Sequence, residues 1–288
     1  MYNFNYTGGI MRFKKIYLEI SNICNLNCSF CPGTKRAKKI MSINEIASIL
    51  PKIRPYSEYL YLHLMGEPLC HPNLKEILRL ADINEFKVII TTNGTLIKQM
   101  KTLILNSKSL YKLNISLHAF EANDLKIDLN TYLKDCFEFG VESIDKKVIV
   151  YRLWNQGGLD EMNSHIINTL HTFFPYEWIN ERNGIRLANK IYLQYGDKFE
   201  WPDLSIPEKN NKLFCYGLRD QIGILCDGTV VPCCLDHEGD IKLGNIFEND
   251  LNDIINSPKA LSIYNGFTKN TAVHPLCKRC GYAQKFNK

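Results

Sequence analysis

Six short runs of apolar and β-branched residues alternate with segments of helical periodicity along the first two thirds of the chain. The runs cover 14–21, 59–65, 85–92, 112–118, 146–153 and 190–195. Nearly continuous apolar runs of this length are typical of strands covered on both faces, as in a parallel sheet. The pattern predicts an α/β fold in which the site lies at the carboxyl ends of the strands.

Helices are predicted between these strands from local start and stop signals. Ser42 followed by Glu45 is a capping box, and it predicts a helix that ends near Pro51 or Pro55. Further helices are predicted over 74–83, 95–106, 125–138 and 159–174. Each would cross over the sheet and return the chain to the start of the next parallel strand.

The last third of the chain has a different pattern. A proline- and asparagine-rich segment at 201–211 is followed by short glycine-punctuated stretches, and six of the eleven cysteines lie between Cys215 and Cys280. A segment of this size with few apolar runs needs a staple, such as a metal centre, to fold. We therefore predict two domains, one over 1–200 and a small one over 201–288.

Composition narrows the class of protein. The 288 residues are 45% hydrophobic and carry a formal net charge of +5, which excludes a disordered chain. No apolar run reaches the ~20 residues that span a bilayer, so we predict a cytoplasmic protein without a membrane partner. Thiols stay reduced there, and metal or Fe–S ligation is the expected use of the cysteines. The basic run at 35–39 is interpreted as a solvated loop, so there is no strong nucleic-acid signal.

Three cysteines follow the first predicted strand at a distinctive spacing, Cys24-x3-Cys28-x2-Cys31. Zinc requires a fourth ligand, and none is nearby in sequence. Three thiolates suit a [4Fe–4S] cluster with one iron left open. With Phe30 immediately before the last cysteine, the spacing resembles the signature of radical S-adenosylmethionine (SAM) enzymes.

The resemblance continues at the ends of the next strands. Gly66-Glu67-Pro68 is similar to the family's GGEP element, with Met65 in place of the first glycine, and Thr92-Asn93-Gly94 is similar to its TNG element. Ser116 and His118 resemble the element near the SAM ribose, and Arg152 could pair with the SAM carboxylate or form a surface ion pair. The implied SAM-binding residues are Phe30, Gly66, Glu67, Thr92, Asn93, Ser116, His118 and Arg152. Structural roles compete: Asn-Gly is a turn signal by itself, and a lone histidine is usually structural.

The resemblance implies a partial (βα)6 barrel that binds SAM on the cluster of Cys24, Cys28 and Cys31. It also implies reductive cleavage of SAM to a 5′-deoxyadenosyl radical, which abstracts hydrogen from a substrate. An electron donor such as a flavodoxin or ferredoxin is the implied protein partner.

The C-terminal cysteines resemble those of a SPASM domain, an Fe–S module found in many radical SAM enzymes. The matching ligands are Cys215, Cys233, Cys277 and Cys280, with Cys234 or Cys226 as alternatives to Cys233 and a structural zinc as an alternative to Fe–S. No cysteine follows Cys280. We therefore predict one auxiliary [4Fe–4S] cluster in a shortened, twitch-type domain.

Polar residues on the predicted strands are the candidates for contact with substrate, namely Glu19, His63, Tyr151, Trp154 and Gln194. A carboxylate inside an apolar strand either faces the barrel interior or pairs with a Lys or Arg, and Glu19 is open to both interpretations. Because 23 residues precede Cys24, we expect no leader-peptide-binding domain there, which favours a small-molecule substrate.

At this length and architecture the chain resembles the queuine lyases. That resemblance implies C–N cleavage of the 7-deazaguanine queuine in queuosine salvage, with a nucleobase as the substrate and Glu19 on its N–H edge. Peptide epimerisation or thioether formation, and dehydrogenation of a sugar alcohol, are the alternative activities. A non-catalytic zinc or Fe–S interaction protein is the alternative outside enzymes.

Overall fold

The computed structural model describes residues 13–182, 184–209 and 211–286. The part of the predicted N-terminal domain that precedes residue 13 therefore lies outside the described residues. The strands are β1 (Lys15–Leu18), β2 (Tyr59–Tyr61), β3 (Lys87–Thr92), β4 (Leu110–Ser116), β5 (Val148–Gln156), β6 (Ile179–Glu181), β7 (Gly184–Ala188), β8 (Ile191–Asp197), β9 (Gln221–Ile224), β10 (Thr229–Val231) and β11 (Gly244–Asn245). The helices are α1 (Ile43–Ile53), α2 (Leu74–Ile83), α3 (Ile97–Asn106), α4 (Leu129–Ser143), α5 (Asn163–Phe173), α6 (Leu251–Ile255), α7 (Pro258–Thr268) and α8 (Pro275–Lys278).

The predicted α/β class is confirmed, with β1, β2, β3, β4, β5 and β8 running parallel in that order. These six strands correspond to the six predicted runs. The capping box is present, since Ser42 Oγ accepts from Glu45 N and the Glu45 carboxylate accepts from Ser42 N. Helix α1 passes through Pro51 and ends at Ile53, because a proline in the last turn removes few of the helix's hydrogen bonds.

The two faces of the strands differ in chemistry. Along β5, Ile149, Tyr151 and Leu153 are fully buried on one face, whereas Arg152 and Trp154 lie on the other. The Tyr151 hydroxyl donates to the Cys136 carbonyl of α4 at 2.9 Å, so this face packs against the helices. Tyr151 as a substrate residue is therefore a prediction that the structure corrects, because side chains alternate along a strand and this one points away from the barrel interior.

The C-terminal segment extends the same sheet. Strand β9 pairs in parallel with β1 on the side opposite β2, and β10 and β11 follow it in antiparallel order. At the other end, the β6–β7 hairpin covers the outer edge of β8. Sequence periodicity did not predict these short strands, and the division into domains 1–200 and 201–288 stays a prediction. No helix within the described ranges is long and apolar enough to cross a membrane.

Candidate active site

The loop that leaves β1 presents three thiols at the carboxyl edge of the sheet. Cys24 and Cys31 are exposed and Cys28 is half-buried. A turn closed by the bond from Cys31 N to the Cys28 carbonyl, 2.9 Å, gathers the last two. Asn123 Nδ2 donates to Cys28 Sγ at 3.1 Å, and Leu26 N donates to Cys24 Sγ at 3.4 Å. Amide donors aimed at these sulfurs suit the ligands of an Fe–S cluster, and Asn123 carries no motif that could have revealed it in the sequence.

The Gly66-Glu67 turn locks the ends of three strands together. Gly66 has a φ of +76°, and a Cβ there would lie 2.4 Å from the Ser21 carbonyl oxygen, so only glycine fits. Glu67 Oε1 accepts from Leu69 N at 3.0 Å and Oε2 accepts from Asn93 N at 2.8 Å. Burial raises the pKa of Glu67 to about 7. The Thr92 side chain makes a third hydrogen bond to this carboxylate. A carboxylate has about four acceptor sites, so one remains for an ammonium group.

The Asn-Gly pair of the Thr92-Asn93-Gly94 segment forms the expected turn, and the contact of this segment with SAM stays a prediction. In this turn Thr92 Oγ1 accepts from Gly94 N at 3.1 Å. Asn93 Nδ2 also donates to Asn25 Oδ1 at 2.9 Å, and it lies 3.9 Å from Cys24 Sγ. The turn therefore holds the cysteine loop against the end of β3.

A cavity of about 870 Å³ opens beside the cysteine loop, large enough for a cofactor and a small substrate. It lies between that loop, the ends of β5 and β8, and the segment after β8. Its lining includes Ser29, Phe30, His118, Trp154, Gln156, Lys198, Glu200 and Trp201. The Phe30 and His118 rings are 5.0 Å apart between centroids, and burial lowers the pKa of His118. Trp201 was missed because it begins the segment interpreted as a domain boundary, and no pattern in the sequence marks Lys198 or Glu200.

Four of the C-terminal cysteines line a second, small cavity of about 30 Å³ with apolar walls. These are Cys215, Cys233, Cys277 and Cys280. The structure also separates the two members of the cysteine doublet. Cys233 lines the cavity, whereas the Cys234 thiol is hydrogen-bonded to the Tyr17 hydroxyl. Cys226 does not line the small cavity, and its thiol lies 3.7 Å from Arg36 Nη1.

By ligand type, four thiols can hold either a [4Fe–4S] cluster or a tetrahedral zinc ion. Within the described ranges, no three His, Cys, Asp or Glu side chains come close enough to hold one metal ion.

Comparison with protein families agrees with this geometry. Residues 18–171, more than half of the chain, match the radical SAM superfamily. The chain belongs to the radical SAM superfamily. Residues 215–281 match SPASM, described as an iron-sulfur cluster-binding domain. The cofactors of this radical SAM protein are therefore a SAM-binding [4Fe–4S] cluster, SAM itself and auxiliary Fe–S.

Three individual comparisons place the radical SAM chain among its relatives. The subtilosin biosynthesis protein AlbA of Bacillus subtilis is 22% identical over 92% of this chain and 64% of its own. The structure resembles BtrN in complex with AdoMet and 2-DOIA, with a TM-score of 0.62, 18% identity and 94% of each chain covered. It also resembles Streptococcus suis SuiB bound to S-adenosylmethionine, with a TM-score of 0.64, 18% identity, 97% of this chain and 75% of SuiB. The chain spans 32% to 64% of the length of the curated relatives that it matches.

Glu19 is an ion-pair residue in this radical SAM chain. The carboxylate is fully buried and accepts hydrogen bonds from Arg36 Nη1, at 2.8 Å, and from Arg36 Nη2, at 2.7 Å. Met65 N and Cys226 N also donate to the Glu19 carboxylate, at 3.2 and 3.0 Å. Of the two interpretations of Glu19, the pairing is the one observed, and the carboxylate is not left free for substrate. The interpretation of the basic run at 35–39 as a solvated loop is therefore wrong for Arg36. Besides its pair with Glu19, its Nε donates to the His237 carbonyl at 2.8 Å.

The barrel interior holds the remaining sequence candidates. His63 Nε2 lies 3.3 Å from Thr91 Oγ1, and Arg152 Nη1 donates to the same oxygen at 3.5 Å. The Arg152 guanidinium lies over the Trp154 ring at 4.3 Å. Arg152 and its register partners Ser116 and Gln194 occupy neighbouring strands at one level of the sheet. Arg152 is therefore an interior residue, and its expected alternative as a surface ion pair is wrong.

Proposed function

We propose that this protein cleaves SAM reductively at Cys24, Cys28 and Cys31 and uses the 5′-deoxyadenosyl radical to abstract hydrogen from a small substrate in the barrel. One observation carries the proposal. The cysteine loop borders the 870 Å³ cavity, and the Trp154 ring in the cavity wall stacks on the Arg152 guanidinium of the polar interior. The cavity beside the cysteines therefore reaches the edge of the polar barrel interior.

The chain's own residues supply positioning and exclusion of water. When bound, the reduced cluster supplies the electron that splits SAM. Glu67 is placed to receive the SAM ammonium, and the Phe30 and His118 rings offer faces for an adenine. Asn93 and Asn123 hold the cysteine loop through their bonds to Asn25 and Cys28. An electron donor such as a flavodoxin or ferredoxin is part of the proposal.

The test is formation of 5′-deoxyadenosine by anaerobically reconstituted protein given SAM and dithionite. We expect turnover of SAM in the wild type and none in the triple variant Cys24→Ala, Cys28→Ala, Cys31→Ala. The matched control is Cys136→Ala, which removes a buried thiol outside both cysteine sets and should turn over SAM like the wild type. Wild-type protein that contains iron and sulfide but makes no 5′-deoxyadenosine would contradict the proposal.

Peptide modification is the second candidate, supported by the match to the bacteriocin biosynthesis protein AlbA over 92% of this chain. The structure is also similar to SuiB bound to its precursor peptide SuiA, with a TM-score of 0.60. Cleavage of queuine stays a prediction. Pairing of Glu19 with Arg36 withdraws the carboxylate that was expected to bind the N–H edge of the base. Mass spectrometry of reactions with queuine, with a sugar alcohol and with a peptide discriminates the three.

A further inference from the structure

The interior of the barrel contains a set of polar side chains centred on one hydroxyl. Thr91 Oγ1 is within hydrogen-bond distance of His63 Nε2, Asn114 Nδ2 and Arg152 Nη1, at 3.3, 3.1 and 3.5 Å. Together with Trp154, whose ring lies under the guanidinium, these residues form what we call the Thr91 group. The group joins β3, β4 and β5 to the end of β2.

Every member of the Thr91 group except Thr91 itself has a buried polar atom without a partner in the described part of the chain. These atoms are His63 Nδ1, Asn114 Oδ1, Arg152 Nε and Trp154 Nε1. Buried polar atoms without a hydrogen-bond partner are rare in folded proteins, because leaving one unpaired costs its lost hydration. Four around one hydroxyl indicate a missing binding partner rather than four separate defects.

The hydrogen-bond pattern fixes what that partner must offer. Asn114 Nδ2 also donates to the Ile90 carbonyl, so the amide oxygen is the atom left over. Asn114 and Arg152 both donate to Thr91, so the Thr91 proton is left for His63 Nε2. Burial lowers the pKa of His63 to about 3, so the neutral ring carries its proton on Nδ1. The unpaired atoms are therefore three donors and one acceptor.

The charge around the group has one sign. Among the residues described, no carboxylate pairs with Arg152, whereas Lys112 lies on the same strand face as Asn114. Burial lowers the pKa of Arg152 to about 10. Burial, then Arg152 and Lys15, lower the pKa of Lys112 to about 8. Tyr17, Tyr61 and Tyr282 are the acidic groups that face the guanidinium, and neutral phenols do not balance it. A buried cation without a counterion is strongly unfavourable.

We propose that the Thr91 group binds an anionic group, carboxylate or phosphate, of the substrate, and that the substrate also carries a hydroxyl or amine for Asn114 Oδ1. The anion accepts from Arg152, Trp154 and His63. That the bound anion belongs to the substrate rests on the proposed function, whereas the binding site itself follows from the interior residues. Arg152, expected to meet the SAM carboxylate, is assigned here to a second anion, because its described partners are interior residues and not the cysteine loop.

The test is anaerobic titration calorimetry of the reconstituted full chain with saturating SAM and no reductant. The probes are glycolate for the carboxylate arm, glycerol 3-phosphate for the phosphate arm and glycerol as the uncharged control. We expect at least one anion to bind about tenfold or more tightly than glycerol. Arg152→Gln and Trp154→Phe should each weaken that binding. The control Arg186→Gln, which removes an exposed arginine paired with Glu181, should not.

Three results would overturn the inference. They are equal binding of glycerol and both anions, anion binding unaffected by Arg152→Gln and Trp154→Phe, and displacement of the anion by SAM. The last result would return Arg152 to the SAM carboxylate. The calorimetry contains no reductant, so it measures binding separately from the activity assay. Anion binding together with no 5′-deoxyadenosine in the activity assay rejects only the proposed function. Formation of 5′-deoxyadenosine together with no preference for an anion rejects only this inference.

Discussion

The two sets of cysteines differ in how the chain assembles and encloses them. Cys24, Cys28 and Cys31 come from one loop, and two of the three are exposed. The four thiols proposed as auxiliary ligands come from three separate segments, and their cavity is walled by side chains such as Leu213, Phe267 and Leu276. Burial raises the pKa of Cys233 and Cys277 well above the usual value.

The difference in exposure matches the two functions proposed for the Fe–S sites. A site that binds and releases SAM must stay open, so its loop is held from one side by Asn93 and Asn123 and gains little from packing. A fully ligated site can be closed, and its thiols then join separate segments of the chain. We expect loss of the first to cost activity and loss of the second to cost stability.

The largest expected effect is on turnover. Cys28→Ala should abolish 5′-deoxyadenosine formation and lower the iron content from about eight to about four per chain. Its melting temperature should stay within about 2 °C of the wild type, because the loop lies at the surface. Iron analysis checks the loss of the cluster, and a thermal scan checks the melting temperature. If Cys28→Ala lowered the melting temperature as much as loss of the auxiliary site does, the proposed difference between the two sites would be wrong.

The auxiliary site should show the reverse order of effects. Cys233→Ala should remove about four irons and lower the melting temperature by roughly 10 °C, since binding at a structural centre contributes directly to folding. Cys234→Ala is the matched control, and it should keep all the iron because its thiol is bonded to Tyr17. Equal loss of iron in the two variants would show that the doublet shares the ligand role.

Glu19 and Arg36 make one of the contacts with the C-terminal segment, through Cys226 N and the His237 carbonyl. Glu19→Gln should lower the free energy of unfolding by about 3 kcal/mol, because it leaves the Arg36 guanidinium without its buried partner. Urea unfolding measures this, with Glu45→Gln as a comparison at the more exposed pair with Lys39. Wild-type stability together with loss of substrate turnover would instead favour the expected role of Glu19 at the substrate.

The smallest effect concerns the pH dependence of SAM binding at the open site. The pKa of Glu67 is raised to about 7 by burial, so the carboxylate that receives an ammonium is protonated below that pH. SAM affinity should therefore fall as the pH drops from 7 to 5, where the α-ammonium of SAM stays charged, by at most about tenfold per unit. Equilibrium dialysis checks this, and 5′-methylthioadenosine, which lacks the α-ammonium group of SAM, should show a flat profile. A flat profile for SAM would remove Glu67 from the contact.

Much of this arrangement was predictable because it is local in the sequence. The spacing of Cys24, Cys28 and Cys31, the Gly66-Glu67 turn and the Thr92-Asn93-Gly94 turn each lie within a few residues, and strand ends meet at one edge of a parallel sheet. Partners from distant segments were not predictable. Asn123 reaches Cys28 across 95 positions, and β9 pairs with β1 across about two hundred.

The sequence by itself determined the α/β class, the six parallel strands, the cysteine loop and the four-cysteine set at the C-terminus. Strand alternation and close spacing are properties of the local chain. Only the tertiary structure decided that Cys233 rather than Cys234 faces the auxiliary cavity, that Glu19 pairs with Arg36, and that Tyr151 points outward. Each of these contacts depends on a side chain that is distant in sequence but adjacent in the fold. The local periodicity of the sequence does not indicate which side chain that is.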